Sequence, residues 1–187
     1  KKNLIWEECS RFAYGEKENG AVFSHMAVMY GNALYKNGYA KEGHKVLETL
    51  LDAAMDFENS RMYPGIPEYF DNQGRGLYAY LTGAASWYML TMITEVFGVR
   101  GDLGDLVIAP ALMPEQYNEN GQASLTMEFA GRKLEICICN PEKKLPSEYK
   151  IKTVWCDEKE MKNEQSTCVR IDRGTARKAF CKRNTQD

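Results

Sequence analysis

The composition of this 187-residue chain is that of an ordinary globular protein: 44% of its residues are hydrophobic, and 24 basic and 26 acidic side chains leave a formal net charge of −2. Charges of both signs are spread along the chain and form no continuous basic face, so nucleic acid is not expected as a partner. No apolar run approaches the roughly 20 residues of a membrane-spanning helix, and segment 1–6 lacks the apolar stretch of a signal peptide. We therefore expect a soluble, cytoplasmic protein with no membrane partner.

The six cysteines show neither a metal-binding nor a disulfide pattern, since none belongs to a Cys-x-x-Cys pair. Cys137 and Cys139 are two residues apart, so on a strand they share a face, where small buried thiols are common. The sequence predicts free thiols in a reducing compartment and no metal site. The six positions are Cys9, Cys137, Cys139, Cys156, Cys168 and Cys181.

Three segments of the first half have the apolar spacing of helices. Residues 22–34 and 40–57 each carry one apolar stripe, and the short break at 37–38 makes them an antiparallel pair. Residues 83–97 are apolar nearly all round, so we expect this third helix to be buried on most sides. Residues 58–81 hold too many turn formers for a regular element, and a loop of this length is usually functional.

After residue 104 the apolar residues alternate with a period of two, which predicts strands. Helices gathered before about residue 100 and strands after it predict an α+β fold by chain order rather than an alternating βαβ order. The predicted strands are 125–129 and 134–138, joined as a hairpin by a turn at 131–132, then 149–155 and 168–171, with 106–108 leading into the sheet.

Two segments resemble the cellobiose phosphorylase family of inverting glycoside phosphorylases. Residues 17–25 read Lys-Glu-Asn-Gly-Ala-Val-Phe-Ser-His, and residues 80–87 read Tyr-Leu-Thr-Gly-Ala-Ala-Ser-Trp. The likeness covers about 17–141, and the stretches Pro-Gly-Ile-Pro-Glu-Tyr at 64–69 and Gly-Arg-Gly at 74–76 look most like the phosphorylases of β-1,2-linked glucooligosaccharides. The chain also opens on Lys-Lys without an initiator Met, so we expect the C-terminal portion of a longer protein.

The resemblance implies the last helices of an (α/α)6 barrel over 1–102, followed by a β-sandwich domain over 103–187. It implies reversible phosphorolysis of a β-glucoside or β-glucooligosaccharide to a sugar 1-phosphate, with inversion, inorganic phosphate as a substrate and no cofactor. The general acid of the family is an Asp upstream of the first motif, and this chain has no matching segment. The fragment alone is therefore expected to be inactive, and the family allows a homodimer of the parent protein.

By the same resemblance, His25, Thr82 and Gly83 contact phosphate, while Lys17, Glu18 and Glu68 line the sugar subsites. From the residues alone, Thr82 would be a helix N-cap and His25 a packed core histidine. A cap can also be an anion cradle, because the free N–H groups and positive dipole at a helix start suit a dianion. Two further readings are that Arg75 also reaches sugar and that His44 is structural.

Two alternatives from other classes stay open. The chain could be a noncatalytic carbohydrate-binding or subunit-contact module, which agrees with its lack of a general acid. It could instead belong to a glucoamylase-like hydrolase, which would need two carboxylates flanking the glycosidic bond. The pairs Glu7-Glu8 and Asp102/Asp105 are available for that role, but a solvated face accounts better for both.

Overall fold

The structure is a computed structural model, and its chain divides into two compact units, Lys1–Thr91 and Met92–Asp187. Several predicted features lie outside the described residues: Glu18, Thr82, the Glu7-Glu8 pair, and the cysteines Cys9 and Cys181. The structure describes residues 13–17, 19–63, 65–79, 83–157, 159–161 and 166–175.

The first unit is built on an antiparallel helix pair, α1 (Ser24–Lys36) and α2 (Ala40–Met55), as the apolar spacing predicts. The break between them is closed by backbone bonds, since the N–H of Tyr39 donates to the carbonyl of Leu34 over 2.9 Å. A short helix, α3 (Phe57–Ser60), follows directly. The helices bury one stripe each, and their core residues are Val28, Tyr35, Leu47, Leu50 and Ala54.

The segment 58–81, expected to lack regular structure, contains two very short strands, β2 (Tyr69–Phe70) and β3 (Gly76–Leu77). They form an antiparallel three-stranded sheet with β1 (Val22–Phe23), which immediately precedes α1. Strands of two residues are too short for alternation to reveal them, which is why the sequence pattern missed them. The sheet ties the long loop to the start of α1.

The third predicted helix is present as α4 (Gly83–Thr91), and one turn of π-helix (Met92–Val96) follows it in sequence. Ala84 and Thr91 are buried, but Met89 and Leu90 are 61% and 46% exposed. The expectation that this helix is buried on most sides is therefore only partly met, because its apolar surface is larger than the described neighbours cover.

The second unit contains mostly strands. An antiparallel sheet of order β10-β5-β4 joins β4 (Val99–Asp102), β5 (Asp105–Ile108) and β10 (Val169–Ile171). The predicted hairpin is confirmed as β6 (Gln122–Phe129) and β7 (Arg132–Cys139). The remaining pair is β8 (Val154–Cys156) with β9 (Lys159–Met161), so the predicted strand 149–155 is correct only near its end, and 149–153 are not strand.

One hydrophobic core serves the sheets of the second unit. Val99, Leu106, Val169 and Ile171 from the three-stranded sheet pack with Ile136 of the hairpin, and apolar residues of β6 and β8 lie around them. Helices in the first unit and strands in the second are compatible with the predicted α+β class. The barrel, the sandwich and the boundary at residue 102 stay predictions, and that boundary falls inside the β4–β5 hairpin.

Two predictions from the sequence concern the exposure of the strand cysteines and the absence of a membrane-spanning helix. Cys137 and Cys139 do share a strand face, with their Sγ atoms 3.9 Å apart, but that face is exposed, so the expectation of buried thiols is wrong. Their side chains lie opposite the core face of β7, which Ile136 occupies. Within the described part of the chain, no helix is both long and apolar enough to cross a membrane.

Candidate functional site

The starts of α1 and α4 lie side by side. Asn32 Nδ2 donates to Thr91 Oγ1 over 3.0 Å, and both residues are buried. The imidazole of His25 also packs against Gly83. Asn32 is seven residues after His25, and Thr91 is eight residues after Gly83. Two contacts in the same order along both helices mean that the helices run parallel. Their N-termini, the positive ends of both dipoles, therefore lie at the same end of the unit.

His25 and Gly83 are in direct contact. A Cβ built on Gly83 would lie 2.6 Å from His25 Cε1 and 2.7 Å from Nδ1, distances that real Cβ atoms essentially never show. Only glycine therefore allows the imidazole to sit at the start of α4. The His25 ring also lies 5.8 Å from the ring of Trp87, one turn further along α4. Two of the three predicted phosphate ligands are thus brought together.

Two polar atoms at this place are buried without a hydrogen-bond partner among the described residues. They are His25 Nε2 and the hydroxyl oxygen of the adjacent Ser24, which is fully buried. The residue before α1, Phe23, gives the helix no side-chain cap. Buried polar groups in folded proteins are nearly always satisfied by protein, water or an ion, so these two atoms mark a position where a polar ligand would be stabilised.

The third predicted phosphate ligand, Thr82, lies outside the described residues, and its role stays a prediction. The role of Glu18, also outside the described residues, likewise stays a prediction.

The two described sugar-binding candidates, Lys17 and Glu68, lie around a pair of tyrosines. Glu68 precedes β2, and its carbonyl accepts a 3.0 Å bond from the N–H of Ser24, which connects it directly to the start of α1. Lys17 Nζ lies over the ring of Tyr78, 5.4 Å from the centroid, and the Tyr69 and Tyr78 rings are 5.8 Å apart. The small sheet β1-β2-β3 thus places Glu68 beside the His25 segment, and Lys17 lies over Tyr78, the residue after β3.

The charges of this cluster act on the buried hydroxyl of Tyr69. Burial raises the pKa of Tyr69 above its ordinary value, Tyr78 and then Glu16 raise it further, Lys17 lowers it, and Glu68 adds a smaller increase. Tyr69 therefore stays a neutral hydroxyl at physiological pH, able to donate and accept hydrogen bonds. Acceptors, a cation and hydroxyls in one place form a donor and acceptor set that suits sugar hydroxyls.

The remaining candidates have local explanations. Arg75 is held by Asp71, through a 3.5 Å contact between Nε and Oδ2 and a 2.9 Å bond from its N–H, so it stabilises the turn between β2 and β3. His44 Nε2 lies 3.9 Å from Glu48 Oε1 one turn away on α2, a local contact that is compatible with a structural role.

The rival carboxylates Asp102 and Asp105 are engaged by the guanidinium of Arg170 across the β10-β5-β4 sheet, with 3.2 Å between Nη1 and Asp105 Oδ2. That ion pairing, on an exposed face, accounts for both acids without catalysis. Among the described residues no group of three His, Cys, Asp or Glu side chains could hold a metal ion.

A large cavity of about 1470 Å³ lies in the second unit, among residues of β5, β7, β8 and β10. None of the predicted site residues lines it. The candidate site is defined instead by the convergence of helix starts and loops in the first unit.

Sequence reasoning missed several residues that build the site. Asn32 and Thr91 are 59 positions apart and belong to no motif, and Ser24 attracts attention only once its burial is known. In the sequence, Tyr69 belongs to the stretch 64–69 and carries no signal of its own. Only its position directly after Glu68, in a segment already expected to be functional, could have drawn attention to it.

No model of a known protein family matches this chain. The chain is 27% identical over 157 residues to a cellobionic acid phosphorylase from Neurospora crassa, an alignment that includes 72% of this chain and 19% of that protein. The chain thus spans about a fifth of the length of the curated relative that it matches. This distant homology supports a likeness to the cellobiose phosphorylase-like family, and it gives no support to the narrower likeness to the β-1,2-oligoglucan phosphorylases.

Proposed function

We propose that the chain provides the phosphate-binding and sugar-binding part of a glycoside phosphorylase that cleaves a β-glucoside or β-glucooligosaccharide with inversion. The observation that carries this proposal is the contact between His25 and Gly83 at the shared end of two parallel helices, where the imidazole Nε2 has no partner among the described residues. Helix starts and an N–H donor together favour a dianion without a metal.

In the proposed reaction an oxygen of inorganic phosphate bonds to the anomeric carbon as the bond from that carbon to the glycosidic oxygen breaks. A carboxylic acid gives its proton to the departing oxygen, and the products are a sugar 1-phosphate and the shortened saccharide. Phosphate is already anionic at neutral pH, so no general base is needed. His25, Gly83 and Thr82 would hold the nucleophile in line, and Lys17, Glu18 and Glu68 would orient the glucoside.

We further propose that the acid is an Asp of the parent protein outside this chain, so the 187 residues alone should not turn over. The purified chain, incubated with phosphate and cellobiose or β-1,2-linked glucooligosaccharides, should release no glucose 1-phosphate above the blank. Robust turnover would overturn the assignment of the acid.

The parent protein gives the test of reaction class. Sugar release should require inorganic phosphate and yield glucose 1-phosphate. Thr82→Val and His25→Ala should each lose about 1–3 kcal/mol of phosphate interaction, the range for a hydrogen bond to a charged group, and raise the KM for phosphate much more than that for sugar. Release of free glucose at the same rate without phosphate would favour the hydrolase alternative, and binding without turnover would favour the noncatalytic module.

Localisation and assembly are also proposals. We place the protein in the cytoplasm with all six cysteines reduced; thiol titration of the denatured, unreduced protein should find six reactive groups. Cys137, Cys139, Cys156 and Cys168 are free in the structure. Two or three disulfides would contradict this placement. The homodimer stays an expectation from the family resemblance.

A further inference from the structure

Two residues with left-handed backbone conformations meet beside the candidate site. Tyr78 has φ 63° and Lys17 has φ 43°, values that are uncommon for residues other than glycine and a clear outlier for a bulky aromatic one. They come from different loops, yet Lys17 Nζ lies 5.4 Å from the centroid of the Tyr78 ring. Such conformations cost free energy and cluster at ligand-binding positions, so an observed pair is a reason to look for a ligand.

The ring of Tyr78 is much more exposed than the ring beside it. The side chain of Tyr78 is 41% exposed, whereas that of its neighbour Tyr69 is only 4% exposed. The backbone conformation is fixed independently of the ring, because the N–H of Glu68 donates to the carbonyls of Leu77 and Tyr78 over 3.1 and 3.3 Å. Glycine would adopt this conformation without the steric cost that a tyrosine side chain brings.

The ring lies at the outer end of an aromatic row that begins next to His25. Phe23, two residues before His25, is 5.6 Å from Tyr69, and Tyr69 is 5.8 Å from Tyr78. Lys17 lies at the exposed end of this row, and Glu68 is directly before Tyr69. A pyranose has an apolar face of C–H groups and a rim of hydroxyls, so it fits an aromatic surface that has charged donors and acceptors at its edge.

We propose that Tyr78 is the stacking platform of a pyranose subsite next to the phosphate position, with Lys17 and Glu68 at its edge. This deepens the sugar-binding half of the proposed function and rests on it, but it does not depend on phosphate chemistry. The subsite recognises a ring of a β-linked glucoside by its C–H face, and Tyr78 is a specificity-determining residue for that ring.

The test is titration of the full 187-residue chain with cellobiose, without phosphate, followed by NMR to obtain a dissociation constant. Tyr78→Gly should weaken cellobiose binding by between about twofold and about tenfold, the range for one aromatic contact. Its melting temperature should stay the same or rise, because glycine adopts this φ without steric cost. Tyr78→Phe, which keeps the ring, should bind cellobiose nearly as well as the unchanged chain.

Tyr39→Ala is the matched control, since Tyr39 is 58% exposed and lies at the far end of α1 from His25. It should leave cellobiose binding unchanged. Equal binding by Tyr78→Gly and the unchanged chain, or no binding of cellobiose by the unchanged chain, would overturn the subsite. Inorganic phosphate is then added to the same samples, and the NMR signal of the His25 imidazole is followed. Loss of cellobiose binding and loss of phosphate binding are therefore measured separately.

Discussion

At the scale of single residues, the candidate site is marked by two buried polar atoms that have no hydrogen-bond partner among the described residues. They are the fully buried Ser24 hydroxyl and the Nε2 of His25, and a buried group left unsatisfied costs about 1–3 kcal/mol. A bound dianion or ordered water would remove that cost. The position of the imidazole in turn depends on Gly83, which has no side chain to displace it.

Gly83→Ala tests this dependence. The added Cβ would lie 2.6 Å from His25 Cε1, so the imidazole must move. We expect a loss of about 1–3 kcal/mol of stability from overpacking, measured by urea unfolding, together with weaker phosphate binding. The matched change Gly101→Ala, whose Cβ would meet only ordinary contacts with Phe129 at 3.6 Å or more, should leave phosphate binding intact. Unchanged phosphate affinity in Gly83→Ala would show that the imidazole position is irrelevant.

At the scale of elements, the parallel packing of α1 and α4 brings two positive helix ends together. The bond from Asn32 to Thr91 lies about two turns from His25 and Gly83 and is buried, so it fixes the relative height of the two helices. Neither helix alone would create the site. The arrangement depends on an interaction between residues that are 59 positions apart.

A double-mutant cycle measures that interaction. Asn32→Leu or Thr91→Val alone leaves the other buried partner unsatisfied and should cost about 1–3 kcal/mol in the free energy of unfolding. The double variant should cost clearly less than the two single changes added together, because both partners are then apolar. Each single variant should also weaken phosphate binding. Strict additivity would mean that the bond contributes nothing to holding the helices.

In the second unit, Tyr149 gives a pH-dependent prediction. Its hydroxyl donates to the carbonyl of Pro110 over 2.7 Å, and burial, followed by the nearby Tyr117, raises its pKa well above the ordinary value of 10.0. The folded state thus holds this proton more tightly than the unfolded state. The resulting stability is fully present below about pH 10 and is lost as the pH rises further.

Urea unfolding of the unchanged chain and of Tyr149→Phe, at about pH 8 and about pH 11, tests that sign. The variant should be less stable at the lower pH, by about 1 kcal/mol for the lost hydrogen bond, and its stability should fall less between the two pH values. Parallel pH dependences in the two proteins would contradict the assigned role of Tyr149.

At the scale of the whole molecule, periodicity predicted the helices α1, α2 and α4 and the hairpin β6–β7, because each is long enough to show its repeat. It failed for β2 and β3, which have two residues each, and for 149–153, where alternating residues are not strand. The site residues were predicted from the family resemblance and not from periodicity. Convergence of His25 with Gly83, and of Lys17 with Tyr78, depends on tertiary packing and backbone angles that no local pattern encodes.

We propose above that the His25 end of the first unit binds phosphate. The chain has two histidines, so their NMR signals are readily distinguished. Inorganic phosphate should be titrated into the chain at constant ionic strength while the imidazole NMR signals are followed. We expect a saturable shift of the His25 signal and no shift of the signal of His44, which lies near Glu48 on α2. A His25 signal that does not respond, or that shifts no more than that of His44, would contradict the proposal.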